Sequence, residues 1–277
     1  NNQVDIAIME TGLGGRLDSV SICNPIMTIF TPISLDHTEI LGNTLKKIAL
    51  EKSGIMKNNV TSVSSQQKDD AKSVLKKEAI KKNVPLYFLD KSKILDYDFN
   101  IKGQQQRENA SLALYALNYL KNYNITESAK KNALKCVTWY GRNQIIKKNP
   151  TIVFDVGHNV NGIKSFIQYY STLNISGKST LVIALYSRKK IYDVIGLLEK
   201  TFEKIICTKT NGKNPMPAIN LSQQFSQTHN VQIINDPYMA ISSSYNKLNK
   251  NDGLVILGTH CLGPAISIFF NISFDTI

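Results

Sequence analysis

Long apolar runs are missing from this chain: no stretch reaches the roughly 18 residues a membrane span needs, and no charged-then-apolar leader opens it. Neither a membrane anchor nor a secretory signal is expected on that reading. Cysteine is sparse. The four residues, Cys23, Cys136, Cys207 and Cys261, form no CxxC pair and no zinc spacing, which excludes a disulfide framework and points to reduced thiols in a cytoplasmic setting. Acidic residues are outnumbered, 21 against 33 Lys and Arg, for a net charge of +12. Such an excess suits nucleic acid, a membrane surface or an anionic small substrate. The lysines are scattered, however, and residues 74–82 (VLKKEAIKK) mix them with acidic and apolar residues as a solvated helix face does. No window interleaves basic and aromatic residues as a nucleic-acid platform does, so neither a nucleic acid nor a membrane is an expected partner.

What is present is enough for cores: 277 residues at 42 % hydrophobic suggest about two domains. Residues 4–9 (VDIAIM) read as a buried strand running into a glycine turn, and 26–31 (IMTIFT) repeat the pattern. Helices are expected near 45–55, 66–82, 105–122 and 126–136, with a strand at 85–89. From 151 onward TIVFD, TLVIAL, KIICT, VQII and GLVILG are short apolar runs separated by helix-length amphipathic segments, the signature of β-α units around a parallel sheet. The pattern breaks at KKNP, residues 147–150, the best linker candidate, so the domains are expected at 1–146 and 147–277.

Three polar residues in the first part invite a chemical reading. Glu10 follows an apolar run and precedes the turn GLGG; a carboxylate there either binds a hard cation or ends a strand. GLGG alone is a weak dinucleotide signal, since the third glycine of GxGxxG would fall on Leu17. His37 follows Asp36 in a loop, where a histidine is a ligand or a structural hydrogen-bonding residue. Lys52 lies among Ile48, Ala49 and Ile55, from which a lysine ordinarily snorkels outward.

The strings around these residues stand together in one family. METGLGGRLD, SLDHTEILG and ALEKSGI resemble the E-x-G-x-GG-R-x-D, L-D-H-x-x-x-L-G and E-K-x-G-I strings of the folylpolyglutamate synthase/dihydrofolate synthase family in the Mur ligase superfamily. The resemblance continues in GQQQRENA (103–110), where Gln105 replaces the usual histidine, in Tyr140-Gly141-Arg142 for P-G-R, and in Asp155-Val156-Gly157-His158-Asn159 for D-x-A-H-N. It spans roughly residues 4–160, with a weaker echo at Gly258-Thr259.

That resemblance implies an α/β chain: an incomplete central P-loop-type ATPase domain followed by a Rossmann-like C-terminal domain. It implies Mg²⁺ on Glu10 and His37, a carbamylated Lys52 that orients the metal, and pteroate contacts from Leu17, Asp18 and Ser19. It also implies ATP contacts from Asn109 to adenine and from Arg142 and Asp155 to phosphate and ribose, with His158 positioning the incoming glutamate. The implied activity is an ATP-dependent carbon–nitrogen ligase, a monomer whose partners are dihydropteroate or folate and L-glutamate. Two rivals stay open: a peptidoglycan-precursor Mur-type amino-acid ligase, and a catalytically silent remnant.

One departure stands out. The family's glycine-rich loop ending in G-K-[ST] has no counterpart here: Gly177-Lys178-Ser179-Thr180 has the ending, but it precedes a strand where a phosphate loop must follow one. The expectation is therefore a chain truncated at its amino end that binds ATP poorly. A second departure is Ser187-Arg188-Lys189-Lys190, where the family often carries an acidic turn.

Overall fold

Two sheets organise the described residues, one parallel and the other parallel except for one edge strand. The computed structural model describes residues 4–90, 92, 94, 99–187, 189, 191–212 and 214–274. It divides into two compact units, Asn1–Tyr97 with Arg107–Leu134, and Asp98–Gln106 with Lys135–Ile277. Both are α/β.

In the first unit β1 (Thr28–Phe30), β2 (Ser62–Ser64) and β3 (Leu86–Phe88) form a parallel sheet in that order. α1 (Thr38–Leu41) and α2 (Leu45–Lys52) follow β1, and α3 (Asp69–Lys81) crosses from β2 to β3. Ala71, Leu75 and Ala79 recur every fourth residue, so one stripe of α3 meets Ile48 and Ala49 of α2 over Phe30 and Met56. Asp69 and Asp70 open α3 and Lys81 closes it, charges that suit the helix dipole. α4 (Gln104–Leu117) places Leu112 and Ala116 against Val63 and Leu89. α5 (Glu127–Cys136) buries no residue.

The expected strand at 4–9 does not form. Val4, Ile6, Ile8 and Met9 are exposed, Ile8 to 93 %, and the segment joins no ladder among the described residues. Its composition is that of a strand, yet without a neighbour an apolar run has neither the hydrogen bonds nor the burial that would hold it extended in a sheet.

The second unit holds a six-stranded sheet in the order β4-β5-β9-β6-β7-β8, from β4 (Gln144–Lys148), β5 (Thr151–Asp155), β6 (Ser179–Ile183), β7 (Lys204–Cys207), β8 (Val231–Ile233) and β9 (Gly253–Leu257). All pairings are parallel except β4 with β5. Successive side chains alternate between two cores. Val153, Leu181, Ile183, Val255 and Leu257 meet α6 (Val160–Tyr170), α7 (Ile195–Thr201) and α8 (Ala218–Ser222) on one face. Ile152, Phe154, Val182, Leu254 and Ile256 meet α9 (Pro237–Tyr245) and α10 (Gly263–Phe270) on the other. Burying each such side chain stabilises the unit by about 2 kcal/mol.

The stretch expected as a linker, 147–150, is a hairpin. Lys147 and Lys148 pair with Ile152 and Thr151, and Asn149-Pro150 makes the turn. Asn-Pro is turn chemistry that serves a hairpin as well as a linker, and local polarity does not separate the two.

Candidate functional site

Asp155 ends β5, deep in the second unit. Its Oδ2 accepts the Asn143 N–H at 2.8 Å and its Oδ1 accepts the Gly157 N–H at 2.7 Å. Its backbone carbonyl accepts the Gly258 N–H at 3.0 Å, joining the ends of β5 and β9. Burial pushes the carboxyl up to about 6, while the two N–H groups and the Arg142 cation draw it down.

Gly141 and Arg142 strap this strand end. Gly141 has φ +72, and an added Cβ would lie 2.7 Å from Val156 Cγ1, so only glycine fits the close turn. Its carbonyl accepts the Val156 N–H at 2.9 Å, and its N–H donates to Gln144 Oε1 at 2.9 Å. His158 sets Nδ1 at 3.0 Å from the Val156 carbonyl, which can only accept, so Nδ1 carries the proton. Asn159 then caps α6, its Oδ1 accepting the Gly162 N–H at 2.8 Å.

His260 joins this edge from the end of β9 and escaped the sequence reading. Burial lowers its imidazole from the ordinary value, and Arg142 lowers it further. The available signal was positional: His260 follows β9 as His158 follows β5. A guanidinium, a carboxyl and two imidazoles thus collect at the carboxyl ends of parallel strands, where open α/β sheets take ligands.

In the first unit the glycine turn folds onto the end of α2. Asp18 caps a 3-10 turn at Ser19–Ile22, its Oδ2 accepting the Leu13 N–H at 2.8 Å and its Oδ1 the Val20 N–H at 3.0 Å. These bonds, with lesser help from Gly12 and the Lys52 cation, hold Asp18 below the usual carboxylate range. Leu17 is 83 % exposed and Ser19 is exposed beside it. Arg16 Nη2 meets Glu51 Oε1 at 2.9 Å, the carboxylate raising the guanidinium above its ordinary value.

Glu10 is exposed, on the run that is not a strand. His37 precedes α1 with φ 50, its side chain 48 % exposed, and Lys52 ends α2 partly buried. Among the described residues no three His, Cys, Asp or Glu side chains gather as a metal cluster. The Glu10 and His37 side chains are accessible to solvent, as the ligands of a hydrated hard cation need to be. Asn109 lies on α4.

Residues 141–260 match the family model described as Mur ligase, glutamate ligase domain. The chain is 26 % identical over 286 residues to the dihydrofolate synthase/folylpolyglutamate synthase of Bacillus subtilis, covering 93 % of this chain and 66 % of that protein. It is 30 % identical over 276 residues to the enzyme of the same name from Buchnera aphidicola subsp. Acyrthosiphon pisum, covering 92 % and 65 %. The chain is a homologue of the dihydrofolate synthase/folylpolyglutamate synthases. Its fold agrees: the Mycobacterium tuberculosis folylpolyglutamate synthase complexed with ADP and AMPPCP superposes with a TM-score of 0.87 at 22 % identity, covering 98 % of this chain and 69 % of that one.

The homologue spans about two thirds of its curated relatives' length, 66 % and 65 % for the two named. Its Gly177-Lys178-Ser179-Thr180 string is not a phosphate cradle. The Gly177 N–H donates to Asn251 O at 3.0 Å and the Lys178 N–H to Asp252 Oδ1 at 2.8 Å, so these donors are already engaged within the fold. Of the basic turn in this Mur ligase homologue, Arg188 and Lys190 lie outside the described residues.

Proposed function

We propose that this chain carries nucleotide, metal and amino-acid contacts of an ATP-dependent ligase that joins L-glutamate to dihydropteroate or a folate. The names of its relatives and the Asp155 site support that reading. In the reaction a substrate carboxylate oxygen attacks the γ-phosphorus of ATP and ADP leaves. The glutamate amine then adds to the acyl carbon, loses a proton, and the C–O bond to phosphate breaks, leaving an amide.

Each residue is assigned the part its chemistry suits. Arg142 offers planar paired donors to phosphate and never deprotonates. Asp155 accepts from ribose hydroxyls, Asn109 meets adenine, and His158, with its proton fixed on Nδ1, orients glutamate. Asp18 spends its oxygens holding the turn, so its effect on the pteroate side is to present Leu17 and Ser19. Glu10 and His37 would hold Mg²⁺, which when bound neutralises phosphate charge. Four free cysteines support a reducing cytoplasm as the setting, and a monomer is the proposed working form.

The observation that carries the proposal is the glycine strap that sets Arg142 against the buried Asp155. Calorimetry with ADP tests it. The 277 residues contain no phosphate loop, so weak binding is expected, and Arg142→Ala should weaken it about tenfold, the size of a lost charge-assisted hydrogen bond. Glu10→Ala and His37→Ala should leave metal-free ADP binding intact and abolish its enhancement by Mg²⁺. Equal binding in all variants removes the assignment.

Lys52 has its own test. As a carbamate it would supply an anion near Glu10's turn, and intact mass of gently handled protein should show one added CO₂ that disappears in Lys52→Ala. An unmodified parent chain would make Lys52 a plain partner of Asp18.

A further inference from the structure

Asn143, immediately after the strapping Arg142, is held in a way no motif accounts for. It is buried at 6 % exposure and takes a left-handed backbone with φ 48. Its main-chain N–H reaches Asp155 Oδ2 at 2.8 Å, and its side-chain Nδ2 donates to the Lys102 carbonyl at 2.7 Å. Lys102 can offer only that acceptor, so the amide's orientation is fixed. Its Oδ1 is left buried with no hydrogen-bond partner among the described residues.

The Lys102 side of the contact is equally specific. Gly103 has φ +102, and a Cβ there would lie 2.3 Å from Asn143 Nδ2. Only glycine lets the amide approach. Lys102 and Gly103 belong to Asp98–Gln106, the short segment of the second unit from which the chain enters α4 and passes, at Arg107, into the first unit. The same segment is tied again by Asn100, whose Nδ2 donates to the Val137 carbonyl at 3.0 Å.

We infer that Asn143 is a positioning residue: one amide locks the left-handed backbone that presents its N–H to Asp155, and the same lock pins the entry to α4. The side-chain bond and the main-chain bond lie on one residue, so losing the first frees the second. The charged group facing Asp155 is Arg142, and the other hydrogen bond on its carboxyl comes from Gly157, so the Asn143 N–H is one of three influences that favour the ionised form. The consequence for ligand binding rests on the nucleotide reading above; the lock itself does not.

Two variants separate the amide from the backbone. Asn143→Gly keeps the left-handed conformation without strain and removes only the amide, whereas Asn143→Ala also strains the backbone. In both, carboxyl-labelled NMR should show Asp155 titrating about 0.5 pH higher than in the parent chain, because a hydrogen bond to the ionised form has loosened. Amide exchange over residues 101–106 should quicken in both, with β5 and β9 unchanged. ADP affinity should fall about fivefold, the scale of one hydrogen bond. An Asp155 titration unmoved in both variants overturns the inference, and so does a shift confined to Asn143→Ala, which would assign the effect to strain. A parent chain that binds no ADP would sink the nucleotide reading while the titration and exchange still decide the lock.

Discussion

Replacing Gly54 with alanine is expected to unseat the glycine turn and remove about 3 kcal/mol of stability from the first unit, at the upper end for an overpacked site. The cause is backbone against backbone. A Cβ on Gly54 would lie 2.2 Å from Arg16 Cα and 2.5 Å from Arg16 N, and a Cβ on the facing Gly15 would lie 2.7 Å from the Lys52 carbonyl. Neither neighbour is a flexible side chain that could swing away. The two glycines let the turn lie flat on the end of α2, where the Arg16 N–H meets the Glu51 carbonyl at 2.8 Å. From the other side the Lys82 ammonium donates to the carbonyls of Ser53 at 3.3 Å and Met56 at 3.2 Å.

That packing places Lys52, Asp18 and Leu17 together, so the substitution should also erase any Mg²⁺ enhancement of nucleotide binding. Gly196→Ala is the control, since nothing lies within 4 Å of its added Cβ and alanine is the better helix former in α7. Urea unfolding of both variants measures the difference. A Gly54→Ala protein as stable as Gly196→Ala would show that the close approach is not a constraint.

The second large effect is a pH dependence centred on Asp155. An unfolded aspartate titrates at 3.8, and this one is pushed up to about 6 by burial. The folded state therefore binds the proton more tightly than the unfolded chain. The resulting stabilisation is full below pH 3.8 and is lost as pH rises through 6, by about 3 kcal/mol in all. Asp155→Asn cannot titrate. Relative to that variant, the parent chain should lose about 2.4 kcal/mol of that between pH 4 and pH 7, read as the change in the gap between their urea midpoints. Parallel profiles would mean that Asp155 keeps an ordinary affinity for its proton. A ligand hydroxyl that favours the carboxylate should shrink the loss at neutral pH.

Four of the parallel strands of the second unit, β5, β6, β7 and β9, were legible because both faces are covered, which makes each a short continuous apolar run; β8, at the sheet edge, is more exposed and was legible from its β-branched residues. Their order was not. Nothing in GLVILG tells that β9 enters between β5 and β6, because strand order is decided by pairing across the whole unit. Residues 4–9 misled for the converse reason: the side chains suit a strand, but a strand exists only with a neighbour. Asp155, Arg142 and His158 could be named as candidates because each lies in a short contiguous motif. His260 and Asn143 could not, because His260 reaches this edge only through the pairing of β9 with β5, and Asn143 is placed by a left-handed turn.

The position of β9 bears on how the molecule is made. It pairs with β5 on one side and β6 on the other, residue for residue from Gly253 to Leu257, so the middle of this sheet is filled by the strand that comes last among its six in chain order. Until it emerges, β5 and β6 have no partner on their facing edges, and the Asp155 carbonyl lacks the Gly258 N–H that closes the strand end. Closure is by long-range pairing, the slow kind of contact. The Asp155 edge of the second unit is therefore closed only after the other five strands of its sheet have been made.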